Sequence, residues 1–245
     1  MLGLAVALTA GSAQADGLGD LKAALSRLQG HVPIKAVVEA KTWNRQGEGK
    51  EVEETQGKAS VKVEEGQAGL QVSYSRDLLN TLEAEERAKE KDSKAKTPTL
   101  AALGEVNSSS LRPLISASAS LTRSLEKANF KSEKVDTYNG KPARLLSFEL
   151  SIDKLSEKER KYLKKFEGSV SVWIDADGTP LASRYSQSLS ARAFLVVSFE
   201  SKNDEEWAYT TVGDRLVALR REVKSSGAGM GEKSENKVTK SLQVL

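Results

Sequence analysis

The chain has one histidine, His31, and no cysteine. Imidazole chemistry therefore rests on a single residue, and thiol nucleophiles, thiolate zinc sites, disulfides and iron–sulfur clusters are excluded together. As the base of a Ser-His-Asp triad His31 would need a serine on a strand-to-helix elbow, yet no G-x-S-x-G occurs, and it sits between Gly30 and Val32-Pro33 as a turn residue. Ser-x-x-Lys occurs four times (Ser93/Lys96, Ser124/Lys127, Ser151/Lys154 and Ser234/Lys237), but 29 serines and 24 lysines in 245 residues generate about three by chance, so the pairs carry no signal. Asp175-Ala176-Asp177-Gly178 opens like a calcium loop. Pro180 follows at once and strand-like residues flank it, so it reads as a turn with Gly178 at positive φ. Asp204-Glu205-Glu206 reads as a hairpin end. Ser225–Gly231 is a loose glycine-rich loop without the lysine-serine end of a phosphate-cradling one. These residues assemble no catalytic, metal or cofactor constellation, and the expectation is a protein that is not an enzyme and uses no cofactor.

What remains is apolar surface. Leu70, Val72, Tyr74, Leu146, Phe148 and Leu150 alternate on strand-like segments, and with Trp43 they are the candidate ligand-binding residues of a hydrophobic face. Ordinary core is the favoured reading of the strand residues, because a curved sheet uses the same face for its core and for a cavity. Trp43, Trp173 and Trp207 all lie out of phase with, or beyond, the cleanest apolar face of their own segment, so they either pack on the second face of a sheet or edge a ligand mouth.

The elements that would position them follow from the hydrophobic period. Leu21, Ala24, Leu25 and Leu28 recur at three and four, with Asp20 as a candidate cap and Gly30 as the stop. The period then changes to two through Ile34-Ala36-Val38-Ala40, Ala59-Val61-Val63 and Leu70-Val72-Tyr74, which predicts three antiparallel strands. From Arg76 to about Asn129 the pattern is helical, with one stripe at Leu78, Leu79 and Leu82 and another at Leu114, Leu121 and Leu125 after Pro113 at a helix start. Between the stripes, residues 83–96 read as a solvated helix or a linker. Arg76–Lys96 carries six acidic and six basic residues, a balance that rules out a nucleic-acid-binding run. After Phe130 nearly everything alternates: Asn139-Gly140 marks a type I′ hairpin, a short helix is expected at Ser156–Lys165, and strands recur to Val244. About ten strands in meander order predict an α+β fold, a large curved antiparallel sheet forming a half-open β-barrel covered by a helical lid.

Residues 2–10 form a short apolar run, followed by Gly11-Ser12-Ala13-Gln14-Ala15 with small residues where a signal peptidase reads. Cleavage is expected after Ala15, leaving residues 16–245 as a single half-barrel domain in the periplasm. No stretch supplies the roughly twenty apolar residues of a transmembrane helix. A net charge of +3 is a small difference between 37 basic and 34 acidic groups, which gives no reason to expect a phosphate-binding surface.

The leading helix Leu21–Leu28 with the Ile34–Trp43 strand after it, and the phrase Val172-Trp173-Ile174-Asp175-Ala176-Asp177-Gly178-Thr179-Pro180-Leu181, resemble the periplasmic LolA-like half-barrels, which include the lipoprotein carrier LolA and the regulator RseB. The resemblance covers most of the chain after Ala15. It implies a concave hydrophobic sheet that holds acyl chains under a helical lid, without catalytic residues. The carriers line their cavity with many aromatic residues and methionines, whereas this chain has 5% aromatic residues and two methionines. The expected function is a periplasmic binding protein for a lipid acyl chain or lipoprotein segment, with a role in outer-membrane biogenesis. The alternative is an interaction or regulatory module of the envelope, its barrel filled by its own side chains, that docks a partner protein through Glu83–Lys96 or the sheet edge.

Overall fold

A computed structural model describes residues 16–154, 157, 160, 163–193, 197–229 and 231–245. The expected signal peptide, residues 1–15, lies outside them. Asp16 is the first described residue: its carboxylate accepts the Gly19 N–H at 3.1 Å and caps helix α1 (Gly17–Arg27). Leu21, Ala24, Leu25 and Leu28 are buried from one side of this helix. Three antiparallel strands follow, β1 (Ile34–Gln46), β2 (Glu53–Gly66) and β3 (Gly69–Ser73). Four helices come next, α2 (Arg76–Lys91), α3 (Pro98–Gly104), α4 (Ser108–Ile115) and α5 (Ala117–Glu126). Among the described residues seven more strands follow: β4 (Ala128–Tyr138), β5 (Lys141–Leu150), β6 (Leu163–Ile174), β7 (Pro180–Ala193), β8 (Val197–Val212), β9 (Arg215–Gly229) and β10 (Glu232–Val244).

All ten strands join one antiparallel sheet in the order β3-β2-β1-β10-β9-β8-β7-β6-β5-β4. The single step that is not sequential is β1 on β10, with Val38 opposite Leu242. The sheet does not close, and β3 and β4 are its edges.

Period-two alternation sends one set of side chains to each face. Ile34, Ala36 and Val38 of β1, Val61 and Val63 of β2, Leu146 and Phe148 of β5 and Val170, Val172 and Ile174 of β6 are buried, and with Leu111, Leu114, Ile115 and Leu121 of the helices they form one connected apolar cluster. Gly57 sets how closely α3 lies on β2, since a Cβ there would come within 2.0 Å of the Pro98 carbonyl oxygen. The opposite, outer face is laddered with charge. Glu39 takes both Lys41 and Lys58, and Glu222 takes Arg220, Lys224 and Lys237. These ladders keep that face in water and contribute little stability each.

Several expectations shift against this architecture. The cap of α1 is Asp16, one turn before Asp20, which instead pairs with Arg144 at 2.7 Å. Pro113 lies inside α4, whose start is fixed by the Asn107 side chain accepting the Ser110 N–H. Two residues past this proline the helix ends, and Ser116 separates it from α5. Residues 83–91 are helix, with Glu83 paired to Arg87. Half of the short helix expected at Ser156–Lys165 lies outside the described residues; Glu157 and Arg160 are helical, and its last three residues are already strand β6. Asp204-Glu205-Glu206 is not a hairpin end. It lies inside the 16-residue β8, because β7 and β9 flank it on both sides and opposite charges face each of the three carboxylates. Ser225–Gly229 likewise belongs to β9, its backbone paired with β8 and β10. Asn139 and Gly140 take φ values of 50° and 76°, as the type I′ turn requires.

Candidate functional site

Backbone registers define rows of side chains that cross the helix-covered face, and their chemistry changes row by row. Val38, Val61 and Leu242 make a buried apolar row across β10 and the two strands that α3 covers, β1 and β2. Two residues further along each strand, Val172, Ser183, Trp207, Arg221, Lys240, Ala40 and Ala59 stand in register. The next row adds Val170, Tyr185, Glu205, Val223 and Val238. The middle strands thus carry a polar and aromatic belt where the outer strands carry small and aliphatic residues.

The belt is internally bonded. Arg221 Nε donates to Glu205 Oε1 at 2.7 Å, and its guanidinium carbon lies 5.0 Å from the centroid of the Trp207 ring. Trp207 stacks on Tyr209 with ring centroids 6.2 Å apart, and the Tyr209 hydroxyl shares a 2.7 Å hydrogen bond with Ser183 Oγ. Burial pushes the Tyr209 phenol well above the usual tyrosine range; burial and then the charge of Glu205 raise Tyr185. Both phenols are therefore neutral hydrogen-bonding groups at physiological pH. Lys240 is only 1% exposed, and its ammonium meets Glu105 Oε2, just beyond α3, at 2.9 Å. Burial lowers the Lys240 pKa, and Glu105 opposes that shift.

Helix α5 covers this belt thinly. Its sheet side offers Ala117, Ser120, Leu121 and Ser124, and between them and Val170, Ser183, Tyr185, Glu205, Trp207 and Tyr209 lies a cavity of about 120 Å³. Leu121 is the only long aliphatic side chain of α5 that is fully buried, and the Ser118 hydroxyl is buried without a hydrogen-bond partner. An unpaired buried hydroxyl costs about 1–3 kcal/mol, so the seat of α5 is a weak part of the packing.

The residues expected from sequence distribute unevenly around this cavity. Leu146, Phe148 and Leu150 are buried in the apolar cluster, and Leu70 and Val72 pack against it, half-buried. Tyr74 is exposed at the end of β3. Trp43 lies on the outer face, where its indole donates to Glu54 at 2.7 Å; Trp173 lies there too, bonded to Asp136 and packed beside Tyr138. Of the three tryptophans only Trp207 reaches the helix-covered face. Arg221, Glu205, Lys240 and Tyr209 gave no motif in the sequence. Their signal is the charged or polar residue recurring every second position in β8–β10, which ordinarily marks a solvated face.

The enzyme-like clusters resolve into local contacts. His31 Nδ1 lies 2.9 Å from Asp214 Oδ2, with the imidazole 86% exposed. Asp214 also accepts the N–H groups of Val32 and His31, and these bonds hold its carboxyl at about 2. No hydroxyl approaches the imidazole among the described contacts. Asp175 Oδ1 accepts the N–H groups of Asp177 and Thr179 within its own turn, while Asp177 pairs with Arg27 at 2.8 Å. Among the described residues no three histidine or carboxylate groups gather as a metal site, and no helix is long and apolar enough to cross a membrane. No family model, curated protein or solved structure matches the chain significantly.

Proposed function

We propose that this chain is a periplasmic, non-enzymatic binding protein that takes a lipid acyl chain or a lipid-modified peptide segment on the helix-covered face, with α5 as the displaceable cover. The observation that carries this reading is the seat of α5: a serine- and alanine-rich helix over a cavity, holding one buried leucine and an unpartnered hydroxyl. An apolar chain that displaced it would meet Val170, Phe148 and the Trp207 ring. Each methylene buried contributes about 0.8 kcal/mol, so a chain of moderate length outweighs the contacts one short helix surrenders. The element order is the one the hydrophobic periods predict: helix, three strands, helical insertion, longer run of strands.

A second reading is favoured by one specific observation. Leu146, Phe148 and Leu150 are already covered, and the neighbouring cavity of about 120 Å³ is too small for an acyl chain while α5 stays in place. In that reading the face is self-filled and the protein docks a partner, with the solvated α2 as the candidate surface.

The test is native mass spectrometry of protein purified from the periplasm without detergent, with organic extraction of the same sample. A bound mass that extracts as lipid supports the carrier and identifies its cargo. An apo mass with no extractable lipid overturns it in favour of the docking module. Phe148→Asp should abolish retention while charge reversal across Glu83–Lys96 leaves it intact, and the opposite pattern belongs to the docking module.

A further inference from the structure

The other side of α5 borders a second concavity, of about 610 Å³, open to solvent. Its walls are the α4–α5 hairpin, the β2–β3 turn at Gly66 and Gly69, and the Gly30-His31 turn. Three arginines face it. Arg215, on the floor, is 3% exposed and fully committed: it donates to the carbonyls of Val32 and Ile115 and pairs with Glu65 at 2.5 Å. Gly30 permits this, since at its φ of 82° a Cβ would come within 2.8 Å of the Arg215 side chain. Arg112 of α4 and Arg123 of α5 differ. Both are exposed, and neither guanidinium has a hydrogen-bond or ion-pair partner among the described residues. Because Arg215 neutralises Glu65, the one carboxylate in the wall, the concavity is left with two uncommitted positive charges, and Ser109 and Ser116 line it as well.

We propose that this concavity binds the phosphate group of an anionic amphiphile, Arg112 and Arg123 providing the charge-assisted donors. Planar guanidinium groups suit phosphate oxygens, which accept paired N–H bonds from them. The placement gives the site a role in the function proposed above, on which it rests. Arg123 lies on α5 one residue before Ser124, so the helix that covers the cavity under Ser120, Leu121 and Ser124 also carries one of the two charges. A headgroup held by Arg112 and Arg123 would place its chains beside the loosely seated helix α5.

Calorimetric titration separates this proposal from the carrier reading with three probes: dioctanoyl phosphatidylglycerol, net-neutral dioctanoyl phosphatidylcholine, and glycerol 3-phosphate, a phosphomonoester without chains. The wild-type protein should bind the anionic lipid about tenfold more tightly than the neutral one, a preference that salt weakens. The double variant Arg112→Gln/Arg123→Gln should bind both lipids at the neutral level, with an unchanged melting temperature because both side chains are exposed. Equal binding of both lipids, unaffected by the double variant, overturns the anion site and leaves the carrier reading standing. Binding of glycerol 3-phosphate that the double variant abolishes, with no gain from the chains, keeps the anion site and overturns the acyl-chain reading. No binding of any probe overturns both.

Discussion

Lys240 of β10 and Glu105, between α3 and α4, form the only ion pair that ties the helical insertion to the sheet among the described residues, at 2.9 Å. The ammonium sits in the row that also holds Arg221, so Lys240 is buried beside a second cation; Glu105, from a helix connection, is its ion-pair partner, and Glu205 adds a weaker attraction from further off. Removing the Glu105 carboxylate leaves a buried ammonium without its ion-pair partner. Glu105→Gln should therefore destabilise the fold by about 1–3 kcal/mol, less than a fully buried pair would cost because Glu105 is itself partly solvated. Urea denaturation at neutral pH measures it, and a change within error would show that the latch contributes nothing.

The same lysine predicts a pH dependence. Its folded pKa lies below the ordinary 10.5, so between those two values the unfolded chain binds the extra proton and stability rises with pH. Below the folded pKa the burial cost is present in full. Lys240→Met removes the titration, so the variant's stability relative to wild type should be greatest near neutrality and decline as pH approaches 10.5. Parallel urea curves across that interval check the sign.

Asp214 acts at the other end of the scale. Its carboxyl is held at about 2 against the usual 3.8 by the backbone N–H groups of Val32 and His31. A depressed carboxylate contributes stability above the unfolded value that is lost as pH falls through the folded one, so the window is 3.8 down to about 2. Asp214→Asn should flatten the acid-unfolding profile in that window. Amide exchange of residues 30–32 should quicken in the variant at neutral pH.

Trp207 supplies an optical readout of the covered face. Trp43 and Trp173 are bonded to Glu54 and Asp136 on the outer face, whereas Trp207 lines the cavity under α5. A ligand that displaces α5 should change the emission of wild type and of Trp43→Phe, and the change should vanish in Trp207→Phe. A response that survives Trp207→Phe would place the ligand elsewhere.

Gly57 tests the seat of the helices. Gly57→Ala sets a methyl 2.0 Å from the Pro98 carbonyl oxygen on backbone that cannot yield cheaply. The expected cost is about 1–3 kcal/mol, with faster proteolytic cleavage in the segment joining α2 to α3.

The sequence alone determined the parts of this protein that depend on local pattern. Period-two alternation in Ile34–Ala40, Ala59–Val63 and Leu146–Leu150 fixed which residues face inward, and Asn139-Gly140 fixed a turn, because a pleated strand and a type I′ turn constrain their own residues. Tertiary structure decided what occupies the inner face. Asp204-Glu205-Glu206 and Ser225–Gly229 look like breaks in the chain, yet they are strand because flanking strands satisfy their backbone and long-range partners satisfy their side chains. Glu205 with Arg221 is separated by 16 residues and Lys240 with Glu105 by far more, so no spacing could announce them. A buried charge is tolerated only when a specific partner reaches it, and only the folded chain brings that partner there.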